Sequence, residues 1–309
     1  MRIQTQGKAR VNLMLYYNPS EKSIEFAYPW LWPVCAKLVC RERPSECEFL
    51  FNKNYLRFSE IVAEGWELVD VLRSMLQIFL IGKGMYMIHA AAVRIGEKGV
   101  LVPSFGNTGK TTTSWMLARR GADFLTDEFA ILDSDGVCFG FPCSSLISSG
   151  LVSATGLPLS TAERFSLFAN ALKSKILTNR LSPGGIKVYP DKFLRVCSKT
   201  PIDVIVFIQN GIDFVERIGF DEALSRISAI QGYELNWRAN PYVLTQSFFD
   251  PSFSLSSLSS GEEELLRSVM SRTREIYIVS SSKGEHYKFI EKLAGGKGMI
   301  VESPVRHMT

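Results

Sequence analysis

A short segment at residues 104–113 has the composition of a loop that binds phosphate groups. It reads SFGNTGKTTT and lies between an apolar run at residues 99–102 and a helix-favouring stretch at residues 110–120. Between a strand and a helix, backbone N–H groups and the positive end of the helix can face phosphate oxygens. The segment therefore predicts phosphate contacts from a consecutive set of residues: Gly106, Asn107, Thr108, Gly109, Lys110, Thr111 and Thr112.

The residue types in this loop predict separate roles. Lys110 supplies a mobile cation for the β- and γ-phosphates of a nucleotide, and Thr111 offers a hydroxyl to Mg²⁺. Gly109 leaves room where the backbone approaches the phosphates. The usual pattern begins with glycine, whereas this chain has Ser104, and Gly106 can supply the freedom that is lost. ATP and Mg²⁺ are the predicted ligands, and the alternative is a loop followed by an ordinary helix.

An acidic pair follows the loop at a spacing that fits the same site. Asp127 and Glu128 end a strand-favouring run at residues 122–126. A ten-residue helix is about 15 Å long and a five-residue strand spans about 17 Å, so the chain can return to the level of Lys110. The spacing predicts a Mg²⁺ ligand at Asp127 and a general base at Glu128, directed toward an acceptor. The alternative is two solvated acids at the end of a strand.

His89 is the third candidate for this site. The β-favouring runs on either side of residues 94–98 predict a hairpin. In the predicted register Val100 faces Ile95, and Gly106 lies level with His89, which brings the imidazole beside the loop. The alternative is a strand histidine with one hydrogen bond.

Apolar periodicity divides the chain into two predicted parts. Residues 1–84 form a β-rich region with a long helix at 59–81, and this region is a candidate for substrate selection. Residues 85–309 alternate strands with helices, which predicts an α/β domain that contains the loop. The other predicted elements are strands at 11–17, 23–28, 37–40, 124–126, 201–209 and 275–279, helices at 162–177, 221–231, 262–274 and 285–293, a loop at 141–153 and an exposed connector at 252–260.

The composition is that of a globular protein, with 46% hydrophobic and 21% charged residues in 309. The net charge of +4 is spread along the chain and gives no case for nucleic acid. Six cysteines without a Cys-x-x-Cys pair and three histidines do not predict zinc, and His286 and His307 occupy exposed-looking contexts without a predicted role. The first eight residues lack the apolar core of a signal peptide, and the apolar stretch at 75–81 is too short to span a bilayer. We therefore expect a cytoplasmic protein without a membrane partner.

The order of these residues resembles the catalytic core of the HPr kinase/phosphorylase family. The likeness covers residues 85–133 and includes IHAAAV around His89, GNTGKT in the loop, and LARRGADFLTDE ending in the acidic pair. The resemblance implies an α/β P-loop kinase core of the type shared with phosphoenolpyruvate carboxykinase, preceded by the β-rich N-terminal region. It also implies ATP-dependent phosphorylation of a serine hydroxyl, with His89 and Glu128 at the reacting centre. Related enzymes form hexamers, so the resemblance allows a homo-oligomer.

Two departures from the family indicate a divergent member. The second acid is Glu128 where the family has aspartate, which places the carboxylate one methylene further out. The family's Arg-Gly-Leu-Gly segment after the acidic pair has no counterpart, and residues 142–150 occupy that region. These differences favour a peptide or protein acceptor other than HPr and do not favour the reverse, phosphorolysis reaction. The chain is similar in this respect to kinases that modify ribosomally made peptides, such as lasso-peptide precursors.

The sequence leaves three functions open. In a kinase, Lys110 and Mg²⁺ hold the triphosphate, and Glu128, assisted by His89, takes the acceptor proton. A nucleotide-binding switch or ATPase would use water as its nucleophile, and a regulatory protein would bind nucleotide without catalysis, an alternative that Ser104 keeps open. A basic stretch at 187–195 either steadies the transferring phosphoryl group or forms a solvated face.

Overall fold

This computed structural model describes the backbone at residues 14–18, 23–28, 36–43, 46–51, 66–176, 185–250 and 252–296. Side chains are described at residues 72–172, 185–240, 243–250 and 252–296. Some predicted features lie outside these ranges: the first three residues of the strand at 11–17, the first seven of the helix at 59–81, the last of the helix at 162–177, and His307.

Contacts along the chain define two compact units. The first contains Met1–Gly82 and Leu235–Gly261, and the second contains Lys83–Glu234 and Glu262–Thr309. The loop, the acidic pair and His89 all belong to the second unit. The domain boundary after residue 84 stays a prediction, and the grouping of residues 235–261 with the N-terminal residues had no signal in the sequence.

The first unit contains an antiparallel sheet of four strands in the order β1-β2-β3-β4. These strands are β1 Met14–Asn18, β2 Ser23–Tyr28, β3 Ala36–Arg43 and β4 Glu46–Phe51. The first three confirm strands predicted from apolar runs, whereas β4 was not predicted. The helices of this unit are α1 Trp66–Ile81 and α6 Pro241–Phe249. Among the described helices of the chain, none has the length and continuous apolar character needed to cross a bilayer.

The second unit is built on a mixed sheet of nine strands. Its strands are β5 Met85–Ile88, β6 Ala90–Ile95, β7 Lys98–Pro103, β8 Asp123–Thr126, β9 Ala130–Asp133, β10 Val137–Phe139, β13 Lys199–Asn210, β14 Phe214–Arg217 and β15 Glu275–Ser281. The order is β5-β9-β10-β13-β7-β6-β8, and β15 pairs with both β13 and β14. A separate hairpin pairs β11 Ser145–Ser148 with β12 Gly185–Val188. The helices are α2 Lys110–Arg119, α3 Ser149–Thr155, α4 Thr161–Ile176, α5 Phe220–Glu234, α7 Leu255–Arg272, whose first residues belong to the first unit, and α8 His286–Ala294.

Helices cover both faces of this sheet and pack on the alternating side chains of its central strands. On one face the valines of β6 and β7 pack with Leu117 of α2 and Ile290 of α8. On the other face Leu101 of β7 packs in the cluster that contains Ile227 of α5 and Leu266 of α7. Because successive residues of a strand point to opposite faces, one apolar run supplies both cores. The result is a sheet between two helical layers, and it confirms the predicted α/β class.

The hairpin that carries His89 has a register different from the predicted one. Val100 pairs with Val93, not with Ile95, and the turn contains Gly96, whose φ of 60° is left-handed. Glycine adopts this conformation without the steric cost of a Cβ, which fixes the turn one residue earlier than predicted. A shift of two residues in pairing keeps every side chain on its predicted face. His89 therefore still precedes β6 beside the end of β7, level with Ser104 instead of Gly106.

Two serine-rich segments predicted to be irregular are ordered. The loop predicted at 141–153 is wrong in its second half, because β11 and α3 occupy it and the Ser148 hydroxyl accepts the backbone N–H three residues later, at 3.3 Å. The exposed connector predicted at 252–260 is also wrong, because α7 begins at residue 255 and the Ser254 hydroxyl accepts the N–H of Ser257 at 3.2 Å. Serine is a preferred N-cap residue, so these serines begin helices.

Truncating Leu101 to alanine is expected to lower the free energy of unfolding by about 2–5 kcal/mol. Leu101 is fully buried at the centre of the sheet, and its removal leaves a cavity between β7 and the α5 layer. Urea unfolding followed by tryptophan fluorescence measures the change. Leu172→Ala on the exposed side of α4, where the side chain is half exposed, is the control and should change the free energy by no more than about 0.5 kcal/mol. Equal effects for the two variants would show that the sheet does not pack as described.

Candidate functional site

The ends of three strands meet at one edge of the sheet in the second unit. β7 ends directly before the loop, β8 ends directly before the acidic pair, and β6 begins one residue after His89. β6 is antiparallel to both β7 and β8, so the carboxyl ends of β7 and β8 lie at the edge where β6 begins. In open α/β sheets ligands bind outside the carboxyl ends of strands. The topology thus brings the loop, the acidic pair and His89 to one edge.

The loop is closed by its own side chains. The hydroxyls of Ser104 and Thr108 contact each other, and Thr108 Oγ1 donates a hydrogen bond to the carbonyl oxygen of Phe105 at 2.7 Å. Left-handed backbone occurs at Asn107, with φ 62°, and at Gly109, with φ 101°. Ser104 therefore replaces the usual glycine without strain, because the left-handed residues of the turn lie further along the loop and the serine hydroxyl ties the loop together.

Lys110 holds its ammonium group against the inside of the loop. The residue is 6% exposed, and Nζ donates hydrogen bonds to the carbonyl oxygens of Ser104 and Phe105 at 2.9 Å and 3.0 Å. Burial lowers the pKa of Lys110 to about 8, while the carboxylates of Glu234 and of the acidic pair oppose this change. A buried cation with neutral hydrogen-bond partners is stabilised by an anion that enters the site.

The two acids of the pair lie in different surroundings. Asp127 is 6% exposed, whereas Glu128 is exposed to solvent. Burial raises the pKa of Asp127 and repulsion from Glu128 adds to the rise, while the Ser145 hydroxyl and the Trp115 indole N–H oppose it. These two polar groups are buried beside the carboxylate, yet neither reaches good hydrogen-bond geometry with a described group. Asp127 is therefore a desolvated carboxylate within electrostatic reach of Lys110, and a bound cation would favour its ionised form.

His89 is fixed by contacts with helix α5. Its backbone N–H donates to Gln231 Oε1 at 2.9 Å, and Gln231 Nε2 donates to the carbonyl oxygen of Met87 at 2.7 Å. The imidazole lies against Phe129, which follows the acidic pair, with 5.3 Å between ring centroids. His89 Nδ1 is 3.8 Å from Glu234 Oε2. The imidazole thus contacts Phe129, the residue after the acidic pair, and lies near a third carboxylate, that of Glu234.

Two residues of α5 that reach this edge had no signal in the sequence. The helix predicted at 221–231 extends to Glu234, and Gln231 and Glu234 lie one turn apart on it. The backbone N–H of Gly106 in the loop donates to Glu234 Oε1 at 2.5 Å. The packing of α5 against the sheet brings these side chains to the loop, and no local motif marks such a contact.

His286 was predicted to be exposed, and this prediction is wrong. It is fully buried at the start of α8, because it shares the buried face of that helix with Ile290 and Leu293. Its Nε2 donates to the carbonyl oxygen of Gln209 at 2.8 Å, so Nδ1 carries a lone pair, and Nδ1 has no described hydrogen-bond partner. A Cβ added at Gly109 would lie 4.0 Å from this Nδ1. The imidazole therefore packs beneath the loop, and burial lowers its pKa.

The basic stretch at 187–195 makes contacts away from the loop. Lys192 Nζ donates to Glu163 Oε1 at 2.6 Å, and the Arg195 guanidinium contacts Asp123, at the end of β8 opposite the acidic pair. Lys187 is exposed. These contacts agree with the solvated-face alternative for this stretch.

The residues at this edge fit a nucleotide with Mg²⁺. The buried Lys110 ammonium and the N–H groups at the start of α2 suit phosphate oxygens. Within the part of the chain that the structure describes, no group of three His, Cys, Asp or Glu residues is arranged as a metal site. A Mg²⁺ ion here would instead be held by Asp127 and the half-buried Thr111, with oxygens of the phosphates completing its shell.

Replacing Lys110 by methionine is expected to change how stability depends on pH. The pKa of about 8 in the folded state lies below the ordinary value of 10.5, so between these values the unfolded chain binds more protons and wild-type stability rises with pH. The unfolding free energy of Lys110→Met relative to wild type should therefore fall by up to about 3 kcal/mol as pH rises from 8 to 10.5. Urea unfolding across this range measures the difference, with Lys98→Met as the control at a more exposed lysine. A difference that does not vary with pH would contradict the burial of the ammonium group.

Comparisons with known proteins identify a distant structural likeness. No protein-family model matches the chain, and no curated protein matches it. Among solved structures the chain is similar to the Hpr(Ser) kinase/phosphatase from Coxiella burnetii, with 14% identity and a TM-score of 0.27 over 50% of this chain and 99% of that chain. At this TM-score the likeness establishes neither a family nor a function. What the structure itself establishes is a mixed α/β protein whose large sheet is covered by helices on both faces.

Proposed function

We propose that this chain is a kinase that binds ATP with Mg²⁺ at the loop and transfers the γ-phosphoryl group to a hydroxyl, the serine side chain of a peptide or protein. The observation that carries the proposal is that a buried ammonium, Lys110, and a buried carboxylate, Asp127, follow the ends of β7 and β8 at the same edge of the sheet. The hydrogen bonds of Lys110 go to neutral carbonyls, so its charge favours an anionic ligand. A polyphosphate with its divalent cation supplies negative charge for Lys110 and positive charge for Asp127.

The loop and the start of α2 bind and orient the phosphoryl donor. Backbone N–H groups at residues 106–111 donate to phosphate oxygens, and Lys110 Nζ supplies the positive charge at the β- and γ-phosphates. Asp127 and the Thr111 hydroxyl hold the metal ion. When bound, ATP with Mg²⁺ supplies the transferable phosphoryl group with part of its charge already neutralised.

Glu128 and His89 serve the acceptor side of the site. Glu128 is exposed next to the buried Asp127, so a hydroxyl that approaches from solvent can reach its carboxylate. A Glu128 carboxylate oxygen takes the hydroxyl proton of the acceptor as the hydroxyl oxygen attacks the γ-phosphorus, whose bond to the β,γ-bridging oxygen breaks so that ADP leaves. His89, whose ring contacts Phe129 directly after the pair, lines the same space and assists the transfer.

A peptide or protein acceptor suits the rim of the loop. Phe105 and Tyr233 are exposed and contact each other edge to face, with 5.7 Å between ring centroids. Exposed aromatic surface beside a polar site favours binding of a peptide segment over a small polar acceptor. The resemblance of residues 85–133 to HPr kinases supports serine as the acceptor residue. A homo-oligomeric assembly stays a prediction from the same resemblance.

Replacing Lys110 by alanine is expected to reduce nucleotide binding and phosphoryl transfer by at least about a hundredfold without unfolding the chain. The protein is incubated with radiolabelled ATP, Mg²⁺ and a library of serine-containing peptides, and products are weighed by mass spectrometry. Asp127→Asn should lose activity to a similar degree, because the metal loses its charged ligand. Lys98→Ala and Asp135→Asn are the controls, since Lys98 is half-buried, Asp135 is exposed and both lie outside the proposed site.

Each product pattern in this experiment identifies one function. Labelled peptide that persists in Lys110→Ala would contradict the assignment of the loop. Phosphate released from ATP without any labelled peptide would identify an ATPase, and nucleotide binding without either product would identify a regulatory protein.

A further inference from the structure

Glu234 places a carboxylate against a backbone N–H of the loop. Its Oε1 accepts the backbone N–H of Gly106 at 2.5 Å, and this N–H belongs to the loop. Its Oε2 is 3.8 Å from His89 Nδ1, so one side chain reaches both the loop and the imidazole. Among the carboxylates that oppose the lowering of the Lys110 pKa by burial, Glu234 has the largest effect.

The helix that carries Glu234 is firmly fixed, whereas the side chain itself retains freedom. Ala223, Ile227 and Ile230 of α5 are buried in the core. The Gln231 side chain is hydrogen-bonded to the backbone of both Met87 and His89. The Glu234 side chain at the end of the helix is 19% exposed and has three rotatable bonds, so its carboxylate can move although its backbone cannot.

A carboxylate and a phosphate oxygen compete for the Gly106 N–H. Both are anions that accept hydrogen bonds from the same kind of donor, and each is repelled by the other. A polyphosphate that binds the loop must therefore displace the Glu234 carboxylate from Gly106. The imidazole of His89 is within reach of the displaced carboxylate, because its Nδ1 already lies 3.8 Å from Glu234 Oε2.

We propose that Glu234 is a positioning residue that couples donor binding to the orientation of His89. Without nucleotide its carboxylate occupies the Gly106 N–H, and when a phosphate takes that N–H the carboxylate turns to His89 Nδ1 and fixes the imidazole. The inference rests on the proposed function of the loop. It adds that the bond from the Glu234 carboxylate to His89 Nδ1 forms only after the phosphoryl donor is in place.

The variant Glu234→Gln distinguishes this role from a purely structural contact between α5 and the loop. The amide oxygen of glutamine also accepts the Gly106 N–H, so a purely structural contact survives the change. The negative charge is lost, so competition with phosphate weakens. The variant Glu234→Gln should therefore bind inorganic tripolyphosphate and MgATP about tenfold more tightly than wild type. Isothermal titration calorimetry measures both affinities.

The orientation of His89 provides a second readout, independent of activity. The chain has three histidines, so ¹⁵N-imidazole NMR gives few signals, and His89→Gln assigns the one from residue 89. A non-hydrolysable ATP analogue with Mg²⁺ should shift the His89 Nδ1 resonance in wild type toward that of a nitrogen bonded to a carboxylate. The same addition should leave this resonance nearly unmoved in Glu234→Gln. Glu222→Gln on the exposed face of the same helix is the matched control and should behave as wild type.

The outcomes distinguish this inference from the proposed function. If wild type and Glu234→Gln bind tripolyphosphate and nucleotide with equal affinity, Glu234 is a static contact, the inference is wrong and the proposed nucleotide site stands. Weaker binding by Glu234→Gln also overturns the inference. If neither protein binds nucleotide, both proposals fail. Should Glu234→Gln fold poorly by circular dichroism, Glu234→Asp replaces it, because the shorter carboxylate withdraws from Gly106 and should also tighten tripolyphosphate binding.

Discussion

The buried ammonium of Lys110 is the charge around which the second unit is arranged. Removing a cation from water costs several kcal/mol unless polar groups replace the lost hydration. Here the replacement comes from two loop carbonyls, which the tight turn through Gly109 directs inward, and from the field of nearby carboxylates. The loop conformation and the buried position of the Lys110 ammonium therefore stabilise each other.

The packed core of the sheet holds the strands whose ends form the site. Residues of β6, β7 and β13 pack into apolar clusters on both faces, so the strands that end at the site are held along their length. Because β6 runs against its two neighbours, the loop, His89 and the acidic pair come from three adjacent strands and need no long connections to meet. The left-handed residues of the loop and the buried charge lie beyond the ends of these strands.

The sequence predicts the parts of this structure that depend on local pattern. The loop, helix α2, the acidic strand end and the long strand β13 follow from glycine placement and apolar periodicity, and they lie within one or two residues of their predicted bounds. The register around Gly96 was missed because a two-residue difference leaves the hydrophobic pattern unchanged. Serine-rich composition around residues 148 and 254 predicts loops, although the same hydroxyl chemistry begins helices there. The contacts of Glu234 and His286 could not be predicted from the sequence, because each results from packing between elements distant in the chain.

The size of residue 91 has a consequence for the loop that no contact at the site reveals. Ala91 is fully buried on the face of β6 that shares a core cluster with Leu117, and α2 packs on this strand. A lone methyl group at this point lets the helix lie close to the strand, and that helix begins with Lys110. A branched side chain at residue 91 would raise the helix and carry its first residue away from the sheet. The distance of the Lys110 ammonium from the sheet thus depends on a small side chain inside the core.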